Sequence, residues 1–252
     1  MSQPYNKLFY QVQSAGSLSS ARVVVPIVRE LVAPDRVIDV GCGVGPWASV
    51  FAEQGASVAH GIDGDYVDRG ELLIDPADFR PVDLANGIDI EDRYDLAVSL
   101  EVGEHLPSES SERFVSDLTR LAPVVLFSAA IPWQGGNHHI NERWQSDWAE
   151  LFAAGGYEAI DAIRARVWNH PEVDYWYAQN MLIYVSSERL EELPALRAAH
   201  TGGPLNIVHQ QMYHLQHTQG SGLRTWAREL PREARHSVVR RAGRLRTRIA
   251  AR

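Results

Sequence analysis

Three closely spaced glycines form the part of this sequence most suited to binding a ligand. Gly41, Gly43 and Gly45 stand between the apolar run Val37–Val40 and a predicted helix that begins at Pro46. A loop without Cβ atoms can bend tightly and lets a ligand touch the backbone. The free N–H groups of the following helix favour an anionic group. Dinucleotide enzymes use the spacing G-x-G-x-x-G, so the G-x-G-x-G found here is a different pattern.

Acidic residues stand near the ends of the first three predicted strands. Asp39 precedes the first glycine by two residues, Asp63 ends the second strand and Asp83 ends the third. In open α/β sheets, ligands bind at the carboxyl ends of the strands, where an acid can accept both hydroxyls of a ribose. We predict this role for Asp63, and a contact with an adenine amino group for Asp83. Any one acid can also end a strand simply because strand ends are wet, but the acids and glycines together favour a nucleoside site.

Two clusters of histidine and glutamate lie farther along the chain. Glu101, Glu104 and His105 follow the fourth predicted strand, and His138 and His139 lie in the loop after the fifth. Both loops are expected to open on the same edge of the sheet as the glycines. In one interpretation, Glu104 and His105 are only the start of a helix, where an acid is favourable. In the other, Glu101, Glu104 and His105 bind Mg²⁺, Mn²⁺ or Zn²⁺ together with His138 or His139.

The second half of the chain also supplies residues for a substrate pocket. Adjacent histidines on an extended loop point in different directions, so one of His138 and His139 is expected to face the site, and we favour His139 as a base. Tyr10 and Gln13 are candidates for a lid. Six aromatic residues either line the pocket or pack in the core: Trp133, Trp144, Trp148, Tyr175, Trp176 and Tyr177.

The elements that must position these residues alternate between strand and helix. This alternation predicts an α/β fold, a Rossmann-like, mostly parallel sheet with helices on both faces. The first helix is expected to start at Ser17 or Ser19 as its N-cap and to stop before Pro34. Strands are predicted at 37–40, 57–62, 79–84, 94–100, 124–129, 160–164 and 181–185, and further helices from 46, over 108–121 and over 144–155.

The chain is predicted to have three parts. Residues 1–33 form an N-terminal helical cap, residues 34–186 the core, and residues 187–252 a C-terminal helical extension. Within the extension, Val238, Ala242, Leu245 and Ile249 recur at helical spacing between arginines, which is typical of a basic amphipathic helix.

Composition and charge limit the classes of function. The chain has 252 residues, of which 45% are apolar and 22% charged, with a single cysteine. These values exclude collagen-like, disordered and disulfide-stapled proteins. We expect a cytoplasmic protein without a signal peptide or a membrane span.

The charge is unevenly distributed along the chain. Residues 224–252 hold ten arginines and two glutamates, so the rest of the chain holds 14 basic and 30 acidic side chains. An acidic body disfavours broad contact with nucleic acid, whereas the basic tail permits it locally. The tail is also suited to docking on an acidic partner or to forming a homo-oligomer.

Over residues 34–186 the chain resembles class I S-adenosylmethionine-dependent methyltransferases. The resemblance rests on DVGCGVG at 39–45, GIDGDYV at 61–67, VDL at 82–84 and SLEVGEHL at 99–106. It implies a seven-stranded sheet whose last strands form an antiparallel pair. It also implies a set of cofactor-binding residues: Asp39, Gly41, Cys42, Gly43 and Gly45 around the methionine part, Asp63 and Gly64 at the ribose, and Asp83 and Leu84 at the adenine.

The segment E-x-x-E-H at 101–105 has a more specific likeness. Its spacing is similar to that of metal-dependent ubiquinone-biosynthesis O-methyltransferases, and to that of small-RNA terminal 2′-O-methyltransferases, which add a later histidine. The resemblance implies a divalent metal bound by Glu101, Glu104, His105 and His139. Such a metal would lower the pKa of an attacking hydroxyl.

The expected activity is O-methylation of a small molecule or a sugar-containing metabolite, with catalytic roles for His139, His138, His105 and Glu101. Three alternatives stay open at this point. The chain could methylate a nucleic-acid terminus, act as a nicotinamide-dependent dehydrogenase, or bind the cofactor without turnover.

Overall fold

The computed structural model describes residues 7–219, and the side chains of residues 15–216. The described residues up to His209 belong to one compact unit, and a second unit starts at Gln210. The basic tail predicted over 224–252 lies outside the described residues, as do the side chains of Tyr10 and Gln13. The predicted domain boundaries after residues 33 and 186 stay predictions.

A seven-stranded sheet forms the centre of the first unit, with the strand order β3-β2-β1-β4-β5-β7-β6. The strands from β3 to β5 pair in parallel, while β7 runs antiparallel to both β5 and β6. The predicted fold class is therefore confirmed, including the antiparallel pair. The strands are β1 Arg36–Val40, β2 Val58–Asp63, β3 Phe79–Pro81, β4 Leu96–Leu100, β5 Val124–Ser128, β6 Tyr157–Ile160 and β7 Leu182–Ser186.

Nine α-helices occur among the described residues. They are α1 Lys7–Val32, α2 Pro46–Glu53, α3 Ser111–Leu121, α4 Gln145–Ala154, α5 Arg164–Val167, α6 Tyr175–Asn180, α7 Ser187–Glu191, α8 Pro194–Ala199 and α9 Gln210–Gln219. Within the described residues, no helix is both long enough and apolar enough to cross a lipid bilayer.

Two details of the predicted elements are wrong. The strand expected over 160–164 lies earlier, at Tyr157–Ile160, and residues 164–167 form a helix. The first helix begins well before Ser17 and Ser19, so neither serine is its N-cap. Their hydroxyls instead bind α6 and the segment before it, because Ser17 Oγ lies 2.9 Å from the Tyr177 hydroxyl and Ser19 Oγ donates to the Glu172 carbonyl.

Each face of the sheet has its own hydrophobic core, since neighbouring strand residues point to opposite faces. Val37 of β1 packs with Val24 of α1 on one face. Ile38 of β1 packs with Phe114 and Leu118 of α3 on the other. With both faces covered by helices, ligands can reach the sheet at its strand ends.

Candidate active site

One cavity of about 1230 Å³ lies beyond the carboxyl ends of the parallel strands. It is lined by the loops that follow the five strands β1 to β5, by part of α1 and by the start of α6. Of the residues predicted for the site, all but Gly45 line this cavity: Asp39, Gly41, Cys42, Gly43, Asp63, Gly64, Asp83, Leu84, Glu101, Glu104, His105, His138 and His139. The residues predicted to bind the nucleoside and the two clusters of histidine and glutamate therefore line the same cavity.

The glycine loop has the conformation that its sequence requires. Gly41, Gly43 and Gly45 have φ values of 81°, 55° and 85°, which side chains rarely adopt. Gly41 also has no room for a Cβ atom, because that atom would lie 2.4 Å from the Val102 side chain. The backbone N–H groups of Gly41 and Cys42 donate to the Ile62 carbonyl at the end of β2.

Gly45 has a different position from its neighbours. It is the N-cap residue of α2, and a Cβ atom there would press against the Ile74 side chain at 3.1 Å. Its position supports the turn into the helix.

Asp63 joins the second strand to the glycine loop. Its carboxylate accepts hydrogen bonds from the N–H of Gly43 at 2.7 Å and from the N–H of Gly64 at 2.6 Å. The Tyr66 hydroxyl donates to the same carboxylate. Asp63 is buried, so it fixes the loop in addition to any contact it makes with a ribose.

Asp39 is an almost fully buried acid that lines the cavity. Burial raises its pKa to about 8, a backbone hydrogen bond from Ala48 opposes that shift, and the nearby Asp63 carboxylate adds to it. Its Oδ2 atom has no hydrogen-bond partner among the described groups. Asp39 is therefore mostly protonated at neutral pH in this state.

The remaining cofactor candidates are held more locally. The Asp83 carboxylate accepts from Ala85 N and Asn86 Nδ2 and caps a short 3₁₀ turn, beside the buried side chain of Leu84. The Cys42 thiol is buried next to Gly61, and burial raises its pKa. A buried thiol with a raised pKa is a poor nucleophile, so Cys42 contributes shape to the site.

Three of the four predicted metal ligands come together. Glu104, His105 and His139 each offer a ligand atom, and these atoms lie within 4.8 Å of one another. The loop after β5 is brought there by backbone bonds, since Ile140 N and Asn141 N both donate to the Glu104 carbonyl, at 2.9 and 3.1 Å. This pairing is what places His139 beside His105.

Burial shifts the pKa values of two members of the cluster, Glu104 and His105, and both shifts favour the neutral form. Glu104 is fully buried, neither carboxylate oxygen has a hydrogen-bond partner among the described groups, and burial raises its pKa well above the usual value. Burial also lowers the pKa of His105 to about 4, with the neighbouring His139 as a further cause. One carboxyl and two imidazoles are a donor set that a divalent cation accepts.

Glu101 is not one of these three, although its carboxylate lies near enough to help raise the pKa of Glu104. Its place as a fourth ligand stays a prediction. Its carboxylate accepts from Gln134 Nε2 at 2.8 Å and from Asn180 Nδ2 at 3.1 Å. Gln179 continues the network, since its Nε2 donates to Gln134 Oε1 at 3.1 Å. Glu101 also has a positive φ of 56°, so both its backbone and its carboxylate are held in one arrangement.

His138 and His139 both line the cavity, although one of the two was expected to face away. His139 supplies its ring to the cluster, whereas His138 supplies its carbonyl, which lies 3.4 Å from His105 Nδ1. His138 has a positive φ of 58°.

The six aromatic candidates divide between the cavity and other environments. Tyr175, Trp176 and Tyr177 line the cavity, as proposed. Trp148 packs in the core, Trp133 is 77% exposed, and Trp144 precedes α4 outside the cavity.

Three polar residues of the site were missed. Gln134 and Asn180 bind Glu101 across 33 and 79 residues of sequence, which no local pattern reveals. The Glu142 carboxylate lies 3.2 Å from His139 Nδ1, within hydrogen-bond distance. Glu142 follows His139 by three residues in a short polar loop, and this spacing allows a contact between the two side chains.

Known proteins place this chain among methyltransferases. Residues 18–164 match the family described as a methyltransferase domain. A probable chloroplastic tocopherol O-methyltransferase of Oryza sativa subsp. japonica is 30% identical over 134 residues, which are 45% of this chain and 36% of that protein. The chain thus spans about a third of the length of this curated relative.

Two solved structures share the fold. Magnesium protoporphyrin IX methyltransferase of Synechocystis PCC 6803, with bound SAH, has a TM-score of 0.53 and 21% identity over 74% of this chain and 90% of its own. The sugar N-methyltransferase KedS8 of Streptoalloteichus sp ATCC 53650 has a TM-score of 0.54 and 15% identity over 74% of this chain and 97% of its own.

The family match covers more than half of the sequence and includes the glycine loop, Asp63 and the E-x-x-E-H segment. It contradicts the dehydrogenase alternative. Together with the strand order, it leads to one assignment: the chain belongs to the class I S-adenosylmethionine-dependent methyltransferases.

Proposed function

We propose that this enzyme transfers the methyl group of S-adenosylmethionine to a hydroxyl oxygen of a small molecule or a sugar-containing metabolite. One observation carries the proposal. The cluster of Glu104, His105 and His139 opens into the same cavity as the glycine loop. An oxygen acceptor needs help with its proton, whereas a free amine needs less.

The cofactor is proposed to occupy the end of the cavity formed by β1 and β2. Gly41 and Gly43 approach its methionine part, Asp63 accepts hydrogen bonds from its ribose, and Asp83 and Leu84 lie at its adenine. The space beside Gly43 supports this placement. No atom lies within 4 Å of the position that a Cβ atom of residue 43 would take, so a ligand can approach the backbone there.

The transfer is an in-line displacement at the methyl carbon. The bond from carbon to the acceptor oxygen forms while the bond from carbon to sulfur breaks, which releases S-adenosylhomocysteine. The acceptor hydroxyl loses its proton to a base, and we assign that role to His139, with His105 and His138 around it. Glu101, fixed by its two carboxamides, would bind a second hydroxyl of the acceptor.

A divalent cation is proposed as an alternative way to activate the hydroxyl. Glu104, His105 and His139 would hold it, and the unpartnered oxygens of Glu104 fit that use. A bound Mg²⁺, Mn²⁺ or Zn²⁺ supplies Lewis-acid stabilisation of an oxyanion. Glu101 would need to release Gln134 and Asn180 before it could join as a fourth ligand.

A nucleic-acid acceptor is the less favoured candidate. Binding to a phosphate backbone depends on lysine and arginine, and within the part of the chain that the structure describes, none lines the cavity. The lining instead carries seven acids. Burial raises the pKa of Asp39, Glu104 and Asp174, and the other four are Asp63, Asp65, Asp83 and Glu101. We propose a neutral or cationic acceptor for this reason.

The function is tested with methyl-labelled S-adenosylmethionine and a panel of hydroxylated small molecules, sugars and short RNAs. We expect label in a hydroxyl-bearing small molecule, and a loss of about 100-fold or more in kcat for His139→Ala, as general bases typically contribute. His170→Ala, outside the cavity, is the matched control. Label found only in RNA, or full activity of His139→Ala, would contradict the proposal.

Chelation separates the two ways of activating the hydroxyl. Loss of transfer in chelator, restored by one of the three cations, supports metal assistance. Full activity in chelator assigns the proton to His139 alone. The cytoplasmic location and a docking or homo-oligomeric role for the C-terminal tail remain proposals from the sequence.

A further inference from the structure

The loop after β5 is organised around one carboxylate, that of Glu142. Its Oε2 atom accepts from Trp133 N at 2.7 Å, and its Oε1 atom accepts from Gly135 N at 3.0 Å. The same Oε1 atom lies 3.2 Å from His139 Nδ1. Trp133 has a positive φ of 66°, an arrangement that costs free energy for a bulky residue. Glu142 thus holds both the backbone of the loop and the imidazole in it.

This contact determines which nitrogen of His139 carries the proton. An ionised carboxylate is only an acceptor, so the nitrogen that faces it must be the N–H donor. In a neutral imidazole the other nitrogen is then an acceptor. The side chains of His139 and Glu142 are only 13% and 20% exposed, so water competes little for this bond. In its neutral form, His139 held by this bond carries its proton on Nδ1 and a lone pair on Nε2.

Gly136 limits the position of the ring from the other side. A Cβ atom at residue 136 would lie 2.2 Å from His139 Nε2 and 2.3 Å from its Cε1. The imidazole thus packs directly over the α-carbon of the glycine, in space that any other residue would fill. Gly136 and His139 both line the cavity, so the Nε2 lone pair is held at the wall of the site.

We propose that Glu142 is a positioning residue of the active site, which fixes the ring and the tautomer of His139 so that Nε2 is available to the acceptor. The inference rests on the role proposed above for His139. Glu142 itself lies outside the cavity lining and acts through the imidazole. The same arrangement serves a base, which needs a free lone pair, and a metal ligand, whose other nitrogen donates to a carboxylate.

The proposal is tested by NMR of the imidazole nitrogens in full-length protein labelled with ¹⁵N-histidine, with chelator and saturating S-adenosylhomocysteine. A His139→Asn variant assigns the signals. We expect wild-type His139 to show a protonated Nδ1 and an unprotonated Nε2. In Glu142→Ala the proton should shift largely to Nε2, and in Glu142→Gln, which keeps an acceptor oxygen, the shift should be smaller. Ile140→Ala, an exposed side chain of the same loop, is the control.

Each result bears on the proposal separately from the function. A wild-type Nε2–H tautomer, or a tautomer unchanged in both Glu142 variants, overturns it. Should Glu142→Ala disorder the loop, Glu142→Gln decides, because it preserves the size of the side chain. A shifted tautomer with a lower kcat and a similar KM for the acceptor supports positioning. If the tautomer shifts in a Glu142 variant but the rate of methyl transfer does not change, Glu142 does position the imidazole, but His139 is not the base.

Discussion

At the scale of single residues, the site depends on two buried aspartates with different roles. Asp63 is saturated with hydrogen bonds from the glycine loop and Tyr66, whereas Asp39 has one oxygen without a described partner. Both lie within the sequence motifs that carry the resemblance to methyltransferases. Ligand affinity therefore tests the role of Asp63, and the pH dependence of stability tests that of Asp39.

Asp63→Ala is expected to weaken binding of S-adenosylhomocysteine by at least about tenfold. The substitution removes the acceptor of the ribose hydroxyls and also releases the N–H groups of Gly43 and Gly64, and charge-assisted hydrogen bonds contribute about 1.5–3 kcal/mol each. Titration calorimetry measures the change. Asp89→Ala, an exposed aspartate outside the cavity, should leave the affinity unchanged. An equal affinity of Asp63→Ala and wild type would show that the ribose lies elsewhere.

Asp39→Asn is expected to change how the free energy of unfolding depends on pH. The pKa of Asp39 is raised from 3.8 to about 8 by burial, so between these values the folded chain keeps a proton that the unfolded chain loses. The contribution of Asp39 to stability therefore falls as pH rises, by about 1.4 kcal/mol per pH unit, and it levels off above pH 8. Asparagine does not ionise and lacks this slope.

Urea unfolding of both proteins at pH 5 and pH 7.5 tests this sign. The variant should gain stability relative to wild type at the higher pH. Other buried acids such as Glu104 keep their own pH dependence in both proteins, so only the difference between the two is informative. A difference that stays constant with pH would mean that Asp39 is ionised in the folded state.

At the scale of secondary-structure elements, α1 and α6 close the cavity by direct contact. Ser17 of α1 bonds the Tyr177 hydroxyl, and Asp174 N, just before α6, donates to Ser20 Oγ at 3.0 Å. Gly16 allows this approach, because a Cβ atom there would lie 2.4 Å from the Asp174 carboxylate. The N-terminal helix is thus part of the wall of the site.

A double-mutant cycle measures this contact. Ser17→Ala and Tyr177→Phe should each lower the free energy of unfolding by about 1–3 kcal/mol, since each leaves a buried hydroxyl without its partner. The double variant should lose about 1 kcal/mol less than the sum, because both groups are then removed. Tyr177→Phe keeps the edge contact with the Trp47 ring, at 5.2 Å. Strict additivity in urea unfolding would show that the two hydroxyls do not interact in solution.

The arrangement of these elements also explains which parts of the site could be predicted from the sequence. The strand ends and the glycine loop were predictable because their pattern is local: a buried strand, three glycines and a helix that starts at Pro46. The position of His139 beside Glu104 was only partly predictable, since it depends on backbone pairing between two loops. The binding of Glu101 by Asn180 was not, because antiparallel insertion of β7 brings residue 180 to the site.

At the scale of the whole molecule, the distribution of charge limits which ligands the cavity can bind. The formal net charge is −8, and the described lining of the cavity has seven acids and no lysine or arginine. An acidic cavity suits a sulfonium cofactor and disfavours anionic acceptors through unfavourable electrostatics. The arginine-rich tail lies outside the described residues, so its role in docking stays a prediction.

The most direct test of the account is a crystal structure of the chain with S-adenosylhomocysteine. We expect the nucleoside to lie in the cavity, with its ribose hydroxyls within hydrogen-bond distance of Asp63 and its adenine beside Leu84. Its sulfur should face the cluster of Glu104, His105 and His139. A nucleoside bound outside this cavity, or with its sulfur turned away from that cluster, would contradict it.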